Sequence, residues 1–259
     1  MTPPPATPGR CVTRDATVVA VDLVDALRTT GAVREFLPDP VGDDVVARIL
    51  DTARFAPNGG NRQAWRVVLV RDRARRAALR DLYLPGWYEY LAQGAAGLVP
   101  WAPVTDRDAE RRAVAGADAV AAAAAGGPGG FAEHLDEVPV LLLVLADLRK
   151  LATVDRDADH YTLVGGASVY PFVWSVLLAA RAEGLAGVIT TMVVRREAEV
   201  RALFALPDHM VVAAVVALGR PVRQPRRLTR LAVEDFATVD DVDGPALAGP
   251  PHPPGRGPA

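Results

Sequence analysis

Cysteine is all but missing: Cys11 is the only one in 259 residues. A single thiol closes no internal disulfide and supplies no thiolate cluster for zinc. The four histidines, His134, His160, His209 and His252, are scattered without ligand spacing, so no metal site is expected. Lysine is equally scarce. Of 29 lysines and arginines only Lys150 is a lysine, a bias that reads as GC-rich coding rather than as a task for arginine. The formal net charge of -2 gives no broad field for attracting nucleic acid, and no nucleic-acid partner is expected. No apolar run reaches the roughly 18–20 residues that span a bilayer. Met1 to Arg10 is proline-rich and lacks the apolar stretch of a signal peptide. These absences lead to the expectation of a cytoplasmic protein with no membrane partner.

What is present is apolar: 50% of the residues are hydrophobic, enough to bury a sizeable core. Residues 1–15 and 244–259 are rich in Pro, Gly and Ala and read as disordered tails around an ordered domain at 17–242. Asp43 to Ala56 reads as a helix, with Val46, Ile49, Leu50 and Ala53 on one face and Pro57 as its stop. Trp65 to Val70 follows as a short strand and Arg73 to Leu82 as a polar surface helix. Leu84-Pro85-Gly86 and Trp101-Ala102-Pro103 break the pattern, Ala113 to Ala125 restores a helix, and Gly126-Gly127-Pro128-Gly129-Gly130 stops it. Residues 83–135 therefore read as an excursion from the sheet, a lid.

Val138 to Ala146 is apolar without alternation, which suits a central strand covered on both faces. Ala167 to Glu183 is apolar nearly all round and reads as a buried helix. Ala186 to Thr191 and Met210 to Leu218 read as strands, with Arg196 to Phe204 a helix between them. Val222 to Asp241 lacks a core pattern and is expected to run over a surface or onto a partner subunit. Strands mixed with long helices imply a sheet with helices on both faces. A helix apolar all round needs more cover than one chain of this size gives, so a dimer is expected.

Four stretches carry groups suited to binding. In Ala56-Pro57-Asn58-Gly59-Gly60-Asn61-Arg62-Gln63-Ala64-Trp65, the glycines permit close approach of a planar ring or a phosphate. Asn61 and Gln63 offer donors and acceptors for a uracil-like edge or a ribityl chain. An ordinary helix stop and turn accounts for the same spacing. In Arg28-Thr29-Thr30-Gly31-Ala32-Val33-Arg34, Arg28 and Arg34 suit a phosphate, and a solvated loop is the plainer account. Thr190 and Thr191 place two hydroxyls at a strand end, where threonine is also favoured simply as a β-branched residue. Arg226-Arg227-Leu228-Thr229-Arg230 is a phosphate grip or a basic surface.

Taken together and in this order, these stretches resemble the nitroreductase family of FMN enzymes. The resemblance covers roughly Val21 to Asp241. Its most specific part is the Ala56–Trp65 block, with Asn58 where serine is usual and Ala64 where proline is usual. Gly166 to Leu185 looks like the family's long central helix, and Leu218-Gly219-Arg220-Pro221 its closing strand. The resemblance implies an α+β fold with a central mixed sheet flanked by helices, in a domain-exchanged homodimer with FMN at the subunit interface. It implies NADH or NADPH as reductant and a small flat acceptor such as a nitro compound, quinone or enone. Carried over, Thr30, Gly31, Ala32 and Arg34 would lie along the phosphate and ribityl chain, with Arg28 beside them. Pro57, Asn58, Asn61 and Gln63 would contact the flavin, Thr190 and Thr191 would face the ring, and Arg230 would grip the phosphate. No single residue is assigned as catalytic. Trp87, Tyr88, Tyr90 and Trp101 suggest an aromatic lid, or core packing under a loop.

Two departures bear on function. The family's first motif commonly reads Arg-Arg-Ser-x-Arg, and Thr30-Gly31-Ala32-Val33-Arg34 keeps only the last arginine. A phosphate dianion near a subunit seam needs cationic partners, and Arg28, Arg34 and Arg230 are those the motifs leave. Val173-Trp174-Ser175 also stands where Gln-Asn is common. A flavin-dependent dehydrogenase or oxidase in a biosynthetic pathway, or a flavin-binding sensor with lost turnover, are the other readings.

Overall fold

Residues 21–250 are described by the computed structural model. Cys11, His252, the tail segment 1–15 and the last part, 251–259, of the segment 244–259 lie outside them, whereas residues 244–250 are described, with Pro245 O accepting from Val239 N and Leu247 N donating to Ala237 O. The chain divides into two units, one up to Pro225 and one from Arg226 onward.

The first unit is built on four strands, β1 (Trp65–Leu69), β2 (Val140–Asp147), β3 (Ala186–Thr190) and β4 (Met210–Gly219), in the spatial order β1-β2-β4-β3. All three pairings are antiparallel, which corrects the expected mixed sheet. The reason lies in the connections. β2 and β3 do run parallel to one another, but β4 is inserted between them and bonds to both.

β2 shows why its apolar run lacks alternation: all eight positions are buried. Val140, Leu142, Val144 and Ala146 face one layer, and Leu141, Leu143 and Leu145 the other. The register slips between Val144 and Leu145, where β4 carries one extra residue, a bulge that keeps both faces apolar.

On the first face lie α2 (Asp43–Ala53) and α6 (Tyr170–Ala182), following the short α1 (Leu23–Thr29) in the element order. Val46, Ile49 and Ala53 form the buried stripe of α2, the 3.6-residue period that the sequence displays. Phe172 stacks on Trp65 with ring centroids 4.7 Å apart and planes 5° apart. α6 is not buried all round. Phe172, Val173, Val176, Leu177, Ala179 and Ala180 are buried, while Trp174, Ser175, Leu178 and Ala182 form a stripe that is only half covered. One chain covers the face turned to the sheet and α2, and leaves the other.

The second face is covered by α3 (Arg73–Ala95), which runs straight through Leu84-Pro85-Gly86 instead of stopping at Leu82. A proline inside a helix costs a hydrogen bond and a clash. Burial of Leu79, Tyr83 and Gly86 against this face outweighs it. Nor is the helix a polar surface helix throughout. Arg76 is 7% exposed. It donates to the carbonyls of Asp136 (2.7 Å), Val70 (3.0 Å) and Val138, and burial lowers its pKa, with Arg71 adding to the shift. It pins the end of β1 and the entry of β2 to α3. Arg76→Met is expected to strand three buried carbonyls and to cost about 3 kcal/mol or more, read as a fall in the urea midpoint.

The stretch after α3 holds α4 (Arg107–Val114) and α5 (Ala117–Ala125), split at Ala115-Gly116. α7 (Glu197–Phe204) joins β3 to β4. In the second unit, Val233–Asp235 forms a single helical turn, and Thr238 bridges Ala246. Among the described residues no helix is long and apolar enough to cross a membrane. Among the same residues, no group of three His, Cys, Asp or Glu side chains could hold a metal ion.

Candidate functional site

The glycine block lies between α2 and β1 and folds into one tight bend. Gly60, Asn61 and Gln63 have φ of 61°, 52° and 50°. For the two non-glycine residues this left-handed backbone costs about 1 kcal/mol each, strain of the kind that gathers at binding sites. Asn58 holds the bend: its Oδ1 accepts from Gln63 N at 2.8 Å and its Nδ2 donates to Ala56 O at 3.3 Å. Gly59 is needed for packing rather than for a ligand. A Cβ there would sit 2.6 Å from the Ala152 Cβ and 3.1 Å from Ser168 Oγ, and Ser168 Oγ accepts from Gly59 N. Gly60 is the open one, with only the Arg62 side chain near.

The outer side of the bend is a cleft of about 390 Å³, lined by Phe55, Pro57, Asn58, Asn61 and Gln63 among others. Pro57, Asn61 and Gln63 are exposed and Asn58 half-buried. The Asn61 amide makes no hydrogen bond among the described residues, while Gln63 Nε2 donates weakly to Asn61 O at 3.4 Å. Asn61 and Gln63 thus present both donors and acceptors to whatever enters.

The other predicted residues gather elsewhere. Val33 N donates to Gly187 O and Phe36 bridges Pro221, which lays Thr30–Arg34 beside β3. Thr190, at the end of β3, donates to the Tyr83 hydroxyl at 3.4 Å and accepts from Met192 N. Burial pushes the Tyr83 phenol up, and the Thr190 bond and the Arg34 charge pull it back. Tyr83 and Thr190 are thus bonded, with the Arg34 charge near enough to act on the phenol. Thr191 is exposed beside Thr190. Arg34 also lines a cleft of about 590 Å³ with Phe36, Trp87, Gly130, Phe131 and His134.

These two groups share no lining residue. β1 and β3 are opposite edges of the sheet, three strand spacings or about 14 Å apart. β2 and β4 fill the space between, with helices over both faces.

Of the remaining predicted residues, Arg28 and Ala32 are exposed, Gly31 is half-buried and Thr30 is buried with its Oγ1 unpartnered among the described residues. Arg230 belongs to the second unit, is exposed, and bonds to its neighbour's carbonyl, Thr229 O. Of the four aromatics, Trp87 lines the cleft beside Arg34, and Tyr88 lines a separate cleft of about 410 Å³ between α3 and α5. Trp87 stacks on Tyr90 at 5.5 Å, and Tyr90 lies 6.1 Å from Trp101, while Tyr88 donates to Glu133. That is a packed ladder along α3 rather than a row of four facing one opening. Sequence reading missed Tyr83 and Ser168, whose partners lie 107 and 109 residues away.

An antiparallel sheet between two helical layers, with a donor-lined bend at one edge and a cationic group at the other, defines an α+β protein with two candidate binding edges. Its matches narrow that class. Residues 27–220 match the model of the nitroreductase family. The chain belongs to the nitroreductase family and is an oxidoreductase of that family. It is 29% identical over 220 residues to an NADH dehydrogenase of Thermus thermophilus, spanning 85% of this chain and 97% of that one. A shorter segment of 49 residues is 49% identical to a 5,6-dimethylbenzimidazole synthase of Rhodospirillum rubrum, covering 19% of this chain and 23% of that one. Its fold matches the NADPH:FMN oxidoreductase of Vibrio harveyi with a TM-score of 0.57 at 18% identity, over 87% of this chain and 79% of that one.

Proposed function

We propose that the chain binds FMN at a site assembled from two copies and moves hydride equivalents from NADH or NADPH to a small flat acceptor, such as a nitro compound, quinone or enone. The observation that carries this reading is the placement of two complementary half-sites at opposite edges of one sheet. In an exchanged homodimer, one copy's Pro57–Gln63 bend would meet the other's Arg34 and Thr190. The half-covered stripe of Trp174, Ser175 and Leu178 on α6 gives such a pair an apolar seam.

The residues present fit an isoalloxazine. The unbonded amide of Asn61 and the weakly tied amide of Gln63 match a ring edge of alternating donors and acceptors. Arg34, which makes no ion pair among the described residues, supplies positive charge where a reduced ring gathers negative charge. Thr190, braced by Tyr83, offers a fixed hydroxyl. Arg230 enters this reading from its sequence position alone. Bound FMN would supply hydride uptake and return. The chain's part is to hold, orient and polarise, and no side chain is assigned as a general acid. Trp87 and Phe131 give the cleft beside Arg34 flat apolar walls for an acceptor.

The purified protein is expected to be yellow, or to become so on adding FMN, with flavin fluorescence changing at micromolar concentrations. It is expected to oxidise NADH or NADPH when a quinone or nitroarene is supplied anaerobically. Colourless protein with no response to micromolar FMN overturns the proposal. A flavin-dependent biosynthetic oxidase is the second reading, favoured by the 49% identity to the benzimidazole synthase over 49 residues. Flavin-loaded protein inert to both NADH and NADPH would select it.

A further inference from the structure

Polar atoms without partners are rare inside proteins, and three of them surround Thr29. Thr30 Oγ1, Arg181 Nε and Gln224 Oε1 are each sealed from solvent and make no hydrogen bond among the described residues. Arg181, in the last turn of α6, reaches Thr29 with its Nη2, which donates to Thr29 Oγ1 at 3.2 Å. Gln224 Nε2 donates to Thr29 O at 3.0 Å. Arg181 has no carboxylate partner among the described residues, and burial alone pulls its guanidinium down. The backbone N–H groups of Gly31 and Ala32 likewise have no partner among those residues, and Gly31 is half-buried beside the exposed Ala32. Donors thus outnumber acceptors around a cation lacking a counter-ion, with one side open at Gly31-Ala32.

We infer that Arg181, Thr30 and the Gly31-Ala32 backbone form a seat for a phosphate monoester, the 5′-phosphate of the proposed cofactor. The inference rests on the FMN reading and adds to it. Arg181 reaches from α6 to the stretch where Thr30 and Gly31 replace two arginines of the motif, so a cation is restored from a different element. A guanidinium meets a phosphate with charge-assisted paired bonds, and backbone N–H groups add donors that need no side chain. Gln224, tied to Thr29 O, keeps the end of α1 in place.

The test compares FMN with riboflavin, which lacks the phosphate, by fluorescence titration of the full chain. Wild type is expected to prefer FMN. Arg181→Leu is expected to weaken FMN by roughly 10- to 100-fold, the span of one charge-assisted contact, and to leave riboflavin within about twofold. If Arg181 only braces α1, both flavins weaken together or neither does, and the seat is overturned while the flavin reading stands. Thr30→Val, of nearly unchanged volume, serves if the leucine variant fails to fold. It is expected to reduce FMN affinity about fivefold with riboflavin unmoved, and equal effects on both flavins count against the seat. Inorganic phosphate is the independent arm: it is expected to raise the melting temperature of wild type and not of Arg181→Leu. Arg181-dependent stabilisation by phosphate in a protein that binds neither flavin would leave the seat standing and remove the FMN reading. Stabilisation equal in both proteins removes the seat.

Discussion

Phe172→Ala is expected to lower the unfolding free energy by roughly 3–5 kcal/mol, the range for deleting a buried aromatic ring. Phe172 is 2% exposed and lies flat on Trp65, 4.7 Å away between centroids. The stacking itself adds about 0.5–1.5 kcal/mol beyond the buried area. Phe172 belongs to one buried layer with Val173, Val176 and the sheet residues Val144 and Ala146. A domain with about 5–15 kcal/mol in hand loses a large fraction of it. In urea the midpoint should fall with an unchanged slope, since the exposed surface on unfolding is nearly the same. Phe55→Ala, removing a ring that is 74% exposed, should stay within about 0.5 kcal/mol of wild type. Similar losses from both would mean that the Trp65–Phe172 stack is not the centre of this layer. The effect reaches the site. Trp65 follows Ala64 directly, and Ala64 O accepts from Asp147 N, so a loosened Trp65 releases the anchored end of the Pro57–Gln63 bend. Loss of ligand affinity in the folded fraction should accompany the loss of stability.

The parts of this layer legible in the sequence are those decided by local period. The unbroken apolar run of β2 announces a strand covered on both faces, and Val46, Ile49 and Ala53 announce the inward face of α2. Pro85 misleads because its local cost is real. Only the long-range burial of Leu79 and Tyr83 makes the helix pass through it. The all-antiparallel sheet was not legible, because strand direction depends on which end of the sheet each connection returns to. The apolar character of α6 was legible, but not which part of it one chain covers. At the site, Asn61 and Gln63 could be found from turn chemistry alone, because the bend that exposes them is local. Tyr83, Ser168 and Arg181 could not. Each acts through a partner more than 100 residues away, and no local pattern records such a pairing. Arg34 was legible as a motif residue, yet its distance from the glycine bend was not.

That distance leads to the prediction with the largest effect, a restoration of function from two inactive proteins. Consider Arg34→Ala/Thr190→Val, which disables the β3 edge, and Asn61→Leu/Gln63→Leu, which disables the β1 edge. Each alone is expected to lose FMN binding by at least about 100-fold, as two polar contacts are removed at once. In a two-fold dimer each ligand site draws one edge from each copy. Homodimers of either variant then contain no intact site. A mixed dimer contains one site with both edges intact and one with both edges damaged. If the two chains are unfolded together and refolded in equal amounts, half the dimers are mixed, and about a quarter of all sites regain wild-type affinity. The readout is the amplitude of a tight phase in an FMN titration, with the affinity of that phase unchanged from wild type. A site contained within one chain gives no tight phase at any mixing ratio, because each variant lacks part of it in every copy. Leu178→Asp provides the second arm, placing a charge on the half-covered stripe of α6. Burying that charge at an apolar seam is too costly for the pair to form, so the variant should sediment as a monomer. It should lose the ligand although no binding residue has been touched, since each isolated chain still carries both edges but cannot bring them to the same molecule. Tight binding by that monomer would refute the shared site as directly as a failure of the mixed dimers.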